Sequence, residues 1–264
     1  MKKHRLDQLV FECGLTESRE RAKTTIMSGL IYVNGQKVDK PGMQFPEDCE
    51  IELRGKTLPF VSRGGYKLDK AFKVFDIDAC GKVCMDCGAS TGGFTDVLLQ
   101  HGAQKVYSVD VGYGQLAWKL RNDSRVINIE RCNLRYISEK EISEKIDMAV
   151  MDVSFISVKL VIPAVHRLLK EDADYVILIK PQFEAGRDEV GKKGVIRDSE
   201  IHGQVLHSVL DFARDEGFSV MGLDYSPIKG PEGNIEYICH LKNGSFKQTE
   251  LNVEAIVAAS HEKL

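Results

Sequence analysis

The chain has 264 residues, 43% of them apolar, and 36 Lys and Arg against 39 Asp and Glu give it a formal charge of −3. That is material for one large α/β domain and a small companion, at roughly 100–200 residues per domain. No apolar run approaches the roughly 20 residues of a membrane helix, and the polar start, Met1 to Asp7, does not read as a signal peptide, so a cytoplasmic protein without a membrane partner is expected. Cys13, Cys49, Cys80, Cys84, Cys87, Cys132 and Cys239 are an odd set scattered among predicted elements, which suits a reducing compartment. Cys84 and Cys87 form a C-x-x-C, but no second Cys or His pair follows at finger-like spacing, so core thiols and no metal are expected. Between Arg54 and Lys73, the cations Arg54, Lys56, Arg63, Lys67, Lys70 and Lys73 face Asp69 alone, a local excess that suits phosphates.

Leu6, Leu9, Val10 and Cys13 recur at helical spacing and stop at Gly14. Thr16 is placed to cap a second helix with Ala22, Ile26 and Met27 on its apolar face and Gly29 at its end. Ile31-Tyr32-Val33 then meets Asn34-Gly35, the pair that a type I′ hairpin turn favours. This order, with Arg5-Leu6-Asp7 opening the first helix and Gly29 through Gly35 forming the hairpin, resembles the small RNA-binding domain of ribosomal protein S-four. The resemblance implies that Arg5, Arg19, Arg21 and Lys23, with Lys37 on the hairpin, contact RNA phosphates.

Arg54 to Pro59 reads as a linker, which divides the chain into an RNA-binding domain at 1–58 and a larger domain at 59–264. Beyond it, Val83 to Cys87, Lys105 to Val109, Val126 to Ile129, Ile146 to Asp152 and Tyr175 to Ile179 read as strands, with helical patterns between most of them. Alternation of this kind gives an α/β, Rossmann-like fold: a mostly parallel sheet with helices on both faces, binding ligands at the carboxyl ends of its strands. The amino-terminal unit is a small α+β domain.

Asp86-Cys87-Gly88-Ala89-Ser90-Thr91-Gly92-Gly93-Phe94 follows the first of these strands and opens a helix, where backbone amides point outward. The glycine spacing departs from the G-x-G-x-x-G of dinucleotide sites. Asp110 ends the next strand, where an acidic side chain holds ribose hydroxyls of either NAD or S-adenosylmethionine. The acidic opening, D-x-G-x-x-x-G-G, resembles the methyltransferase motif and favours S-adenosylmethionine. That resemblance puts Gly88 against the methionine moiety, Asp110 at the ribose, Asn133 beside the adenine and Asp152 beside the methyl donor, with Asp86, Ser90, Gly92, Gly93 and Phe94 also binding the cofactor.

The larger domain is similar to the FtsJ-type ribose methyltransferases, and its union with the amino-terminal domain resembles the TlyA, or haemolysin-A-like, family. Their catalytic set of lysine, aspartate, lysine and glutamate is matched in order by Lys67 in Ser62-Arg63-Gly64-Gly65-Tyr66-Lys67, Asp152 in Met151-Asp152-Val153-Ser154-Phe155, Lys180 in Ile179-Lys180-Pro181-Gln182-Phe183-Glu184, and Glu236 in Gly233-Asn234-Ile235-Glu236-Tyr237. The resemblance implies 2′-O-methylation of ribosomal RNA at cytidine, with ribosomal RNA or ribosomal subunits as partners. The chemistry suits these residue types, because a ribose hydroxyl is a poor nucleophile until its proton is removed and its oxygen aimed. Lys180 is expected to be the base or anchor, with its pKa depressed by Lys67, Glu236 orienting the ammonium groups and Asp152 aligning Lys180.

Between Glu184 and Asp198 a loop with Gly186, Gly191 and Gly194 carries Arg187, Lys192, Lys193 and Arg197, and is expected to clamp RNA, as is Arg63. Tyr66, Phe155 and Phe183 flank the charged set and suit either base stacking or core packing. Two other readings stand beside the enzyme. A cytolysin would need membrane-inserting segments that are not legible here. An RNA-binding protein with an inactive methyltransferase fold would be expected to lack part of the charged set.

Overall fold

The computed structural model describes residues 3–16, 18–55, 59–191 and 194–264. The chain divides into two compact units, Met1–Arg63 and Gly64–Leu264. The division falls after Arg63 rather than after Leu58: Phe60 and Val61 are buried, and the Arg21 guanidinium donates to the Phe60 carbonyl at 2.9 Å, tying this segment to the first unit.

The first unit runs β1 (Lys3–Arg5), α1 (Leu6–Glu12), α2 (Arg19–Met27), β2 (Ile31–Val33), β3 (Gln36–Val38), β4 (Gln44–Pro46) and β5 (Ile51–Leu53). Strands β3, β2 and β5 form an antiparallel sheet, and β1 pairs with β4. Leu6, Val10, Ala22, Ile26, Ile31 and Val33 make its core. Asn34 and Gly35 both have positive φ (48° and 77°), the condition a type I′ turn sets. Helix α2 is capped by Ser18, whose side chain accepts from the Arg21 amide, and not by Thr16. The Thr16 hydroxyl instead donates to the Ser18 carbonyl at 3.1 Å, shaping the approach to the helix.

The second unit comprises α3 (Gly65–Val74), β6 (Val83–Cys87), α4 (Gly93–Gln100), β7 (Lys105–Val109), α5 (Trp118–Arg121), β8 (Val126–Ile129), β9 (Ile146–Met151), α6 (Ile162–His166), β10 (Leu169–Ile179), α7 (Pro181–Glu184), α8 (Ser199–Asp215), β11 (Phe218–Tyr225), β12 (Tyr237–Asn243) and α9 (Val253–Lys263). One sheet takes the order β11-β12-β10-β9-β6-β7-β8, parallel except for β12, which is antiparallel to both neighbours. All five residues of β6 are buried, as a strand covered on both faces requires. Strand β10 begins at Leu169, earlier than expected, and its pairing with β9 shifts register between Leu169 and Asp174; β11 and β12 were not anticipated.

From β6 the chain moves to β7 on one side, while β9 lies on the other. The carboxyl ends of β6 and β9 therefore bound a topological switch point, where open α/β sheets bind ligands. Gly88, Asp110, Asp152 and Lys180 directly follow β6, β7, β9 and β10, so all stand at this edge. Because β12 runs the other way, Glu236, just before it, stands there too.

Candidate active site

The turn after β6 is packed too closely for a side chain. Gly88 has φ +87°, and a Cβ there would lie 2.8 Å from the Asp152 carbonyl oxygen, so the turn and the end of β9 touch through backbone. The Gly88 and Ala89 amides both donate to the Val109 carbonyl, at 2.9 and 3.1 Å. Asp110 is fixed by the same turn: its Oδ2 accepts from the Ser90 amide at 2.8 Å and its Oδ1 from the Gly112 amide at 2.6 Å. Gly92, at φ +93°, backs onto Leu120 and Leu116, and Gly93 opens α4. Asn133 is exposed, its side-chain oxygen accepting from the Arg135 amide.

Two of the expected cofactor contacts turn inward. Asp86 is fully buried, its Oδ2 accepting from the Thr95 amide at 2.9 Å and the Thr95 hydroxyl at 2.7 Å, so through this oxygen it holds the first turn of α4 from below. Burial pushes its carboxyl up to about 7 despite those bonds. Phe94 is likewise only 4% exposed and packs inside.

Across the turn, four charged side chains form one continuous chain. Glu236 Oε2 lies 2.6 Å from Lys67 Nζ, Lys67 Nζ donates to Asp152 Oδ2 at 3.2 Å, and Asp152 Oδ1 lies 2.5 Å from Lys180 Nζ. Lys180 Nζ also donates to Ser154 Oγ at 3.0 Å. Side-chain exposures of 1% for Glu236, 9% for Lys67, 19% for Asp152 and 7% for Lys180 explain why the charges come in pairs, since an unpaired buried ion is costly. Burial acts to lower the Lys67 pKa, but Asp152 and Glu236 outweigh it and hold the ammonium above its ordinary value. For Asp152, burial acts to raise the pKa, and the two lysines bring it below the usual carboxylate range. Asp152, not Glu236, is the group that touches both lysines; Glu236 pairs with Lys67.

Beside this set, Phe155 has a left-handed backbone (φ 64°) and a side chain 91% exposed, its ring 5.1 Å from that of Phe183. Lys180 Nζ lies 5.9 Å from the Phe183 ring. Sequence reasoning did not single out Ser154, the second partner of Lys180, although it stands two residues after Asp152 at the same strand end.

The expected RNA contacts divide. In the first unit, Arg5 and Arg19 both pair with the fully buried Asp7, at 3.0 and 3.1 Å, so these guanidiniums first serve as a clamp on that carboxylate. Burial acts to raise the Asp7 pKa and the two arginines bring it below its ordinary value. Arg21 is engaged with the Phe60 carbonyl, whereas Lys23 and Lys37 are exposed, the Lys37 chain lying over Gly29. Arg63 and Arg197 are exposed in their respective units, and Lys192 and Lys193 lie outside the described residues. Among the described residues no group of three or more His, Cys, Asp and Glu is placed to hold a metal, and no helix is long and apolar enough to cross a membrane. Cys84 and Cys87 are buried, and burial pushes the Cys84 thiol up to about 12.

A sheet of this order, with a glycine turn at its switch point and an acidic residue closing the next strand, defines the class of nucleoside-binding α/β domains. Residues 60–243 match the FtsJ-like methyltransferase family and residues 4–48 match the S4 domain. The chain belongs to the FtsJ-like methyltransferase family, with an S4 domain at its amino-terminal end. It is 49% identical to the Bacillus subtilis protein named "Putative rRNA methyltransferase YqxC", over 91% of this chain and 86% of that one. It is 41% identical to the 16S/23S rRNA (cytidine-2′-O)-methyltransferase TlyA of Mycobacterium tuberculosis, over 90% of this chain and 89% of that one. Among solved structures, one titled "Putative hemolysin from Streptococcus thermophilus" matches with a TM-score of 0.80 and 46% identity, covering 100% of this chain and 97% of that one.

Proposed function

We propose that this chain transfers a methyl group from S-adenosylmethionine to a ribose 2′-hydroxyl of ribosomal RNA, at cytidine. The observation that carries the reading is the convergence of Glu236, Lys67, Asp152 and Lys180 into one paired chain that touches the Gly88 turn through the Asp152 backbone. The relatives named as ribosomal RNA methyltransferases, and the S4 domain, support the choice of RNA.

The residues fit the cofactor. The Gly88 turn packs backbone against the end of β9 at the switch point, and Asp110, held by the Ser90 amide of that turn, stands where a ribose would meet a carboxylate. When bound, S-adenosylmethionine supplies an electrophilic methyl on sulfur. Lys180 is the group that manages the incoming hydroxyl: Asp152 and Ser154 fix two directions about Nζ, and once Nζ has given one proton to solvent the third holds the lone pair that takes the 2′-hydroxyl proton as the oxygen attacks the methyl. Lys67, held as a cation by Asp152 and Glu236, helps keep Asp152 ionised and so steadies the carboxylate that aims Nζ of Lys180. Asp152 aligns both lysines. Exposed Lys23, Lys37, Arg63 and Arg197 supply cations for phosphates.

Transfer of labelled methyl from S-adenosylmethionine to ribosomal RNA by the purified chain tests this directly. In Lys180→Ala the rate falls by about 10³-fold or more while cofactor affinity is kept. Undiminished transfer by that variant would remove Lys180 from the reaction.

A further inference from the structure

Just before α8, Ile196 is pinned through both its amide and its carbonyl to side chains that lead to either side of Glu236. The Ile196 amide donates to Asn234 Oδ1 at 3.1 Å, and the Ile196 carbonyl meets His202 Nε2 at 3.3 Å. Asn234 also donates from Nδ2 to the Gly194 carbonyl at 2.8 Å. His202 Nδ1 lies 2.8 Å from the Tyr237 hydroxyl. A carbonyl can only accept, so Nε2 carries the proton and Nδ1 is the acceptor, with the Tyr237 hydroxyl and, at 3.1 Å, His261 Nε2 facing it. Burial first, then His261, lower the His202 pKa to about 4, in keeping with a neutral ring. Asn234 is 3% exposed, Ile196 3% and His202 0%, so these bonds form in the interior, where leaving a polar group unpaired is costly.

Both anchors lead to Glu236. Asn234 precedes it by two residues, and its carbonyl accepts from the Gly230 amide at 2.9 Å, closing a tight turn. Glu236 Oε1 sits where a Cβ on Gly230 would come within 2.6 Å, so the carboxylate rests against the backbone of that turn. Tyr237 follows Glu236 directly and begins β12. A shift of Ile196 thus pulls on both flanks of the carboxylate that holds Lys67, and through Lys67 on Asp152 and Lys180.

We infer that Asn234 and His202 are positioning residues: they latch residues 194–198 to the flanks of Glu236, so that RNA seated at Arg197 sets the geometry of the charged chain. This rests on the proposed function, in which Arg197 meets RNA. The coupling makes proton removal depend on a bound substrate, and it gives the interior polar cluster of α8, α9 and β12 a task beyond packing.

The test pairs amide hydrogen exchange with methyl-transfer kinetics on ribosomal RNA, using the full chain. Asn234→Ala is expected to speed exchange of the Ile196 amide about tenfold or more and to lower kcat at saturating RNA by about tenfold or more. Exchange at Met85, inside β6, and affinity for S-adenosylmethionine stay as in the unaltered chain, which a general loss of structure would not allow. Unchanged exchange at Ile196 overturns the latch. Faster exchange with kcat untouched, or with only the RNA KM raised, overturns the coupling. Should Asn234→Ala also expose Met85, His202→Gln takes its place under the same criteria. The two readings fail separately: an unaltered chain that transfers no methyl contradicts the function, while one that does, with kcat indifferent to the latch, contradicts the coupling alone.

Discussion

The two ends of the central sheet each bury a carboxylate among nitrogen donors, with different consequences. At the amino end, Asp174 gathers Lys82 at 2.9 Å and His240 at 3.0 Å, with Lys242 at 4.0 Å. At the carboxyl end, Glu236, Lys67, Asp152 and Lys180 alternate in sign, and the last of them keeps a direction free beside a glycine turn. Strand β10 contributes to both, with Asp174 midway along it, where its pairing with β12 begins, and Lys180 just past its end. Buried charge is therefore not by itself the mark of a reactive site. What separates the two clusters is the topology, which opens a crevice only where the strand order reverses.

The sharpest way to break this comparison is to remove one charge from each end. Asp174→Ala should lower unfolding free energy by about 3–5 kcal/mol, as loss of one partner from a buried pair does, while kcat per folded molecule stays unchanged; denaturant titration and methyl transfer read the two quantities. A fall in kcat at unchanged stability would erase the distinction between the ends. The same carboxylate sets a pH dependence. Burial acts to raise its pKa, but bonds from His240 and Lys82 bring it below the ordinary value. The stabilisation is thus complete above the unfolded carboxylate pKa of about 3.9 and is lost as pH falls below it. Acid unfolding of Asp174→Ala should accordingly lack that contribution.

Gly88→Ala is next in size. The added methyl would press on the Asp152 carbonyl at φ +87°, moving the charged chain as well as the turn. A misplacement of this kind costs about 10²-fold in rate, and cofactor affinity should fall with it in a calorimetric titration; retention of both would mean that the close packing is incidental. The smallest effect is expected in the first unit. Lys37→Ala should weaken RNA binding modestly and reduce the salt dependence of affinity by about one unit of slope, against no change if Lys37 only covers Gly29.

Much of this was legible before any coordinates. The parallel strands announce themselves as short apolar runs, and Asn34-Gly35 fixes its hairpin because few residue pairs tolerate two positive φ values. Lys67, Asp152, Lys180 and Glu236 were identified together by family resemblance, and the fold brings them together. Other features leave no periodic trace. Asp86 looked like a ligand contact because it opens the glycine motif, but whether its carboxylate faces the cleft or Thr95 depends on which side of β6 it occupies. Arg5 and Arg19 looked like free cations until Asp7 proved to be buried between them. Asn234 stood within a quoted motif, yet its partners Gly194 and Ile196 lie some forty residues away in the chain, and local spacing says nothing of such pairs.

The central claim concerns which atom receives the methyl group. Ribosomal RNA treated with the purified chain and S-adenosylmethionine, digested and mapped by mass spectrometry, should show new methylation on the ribose oxygen of cytidine, absent when Lys180→Ala replaces the native protein. A methyl found on a base atom, or 2′-O-methylation that persists at full level in that variant, would contradict the account.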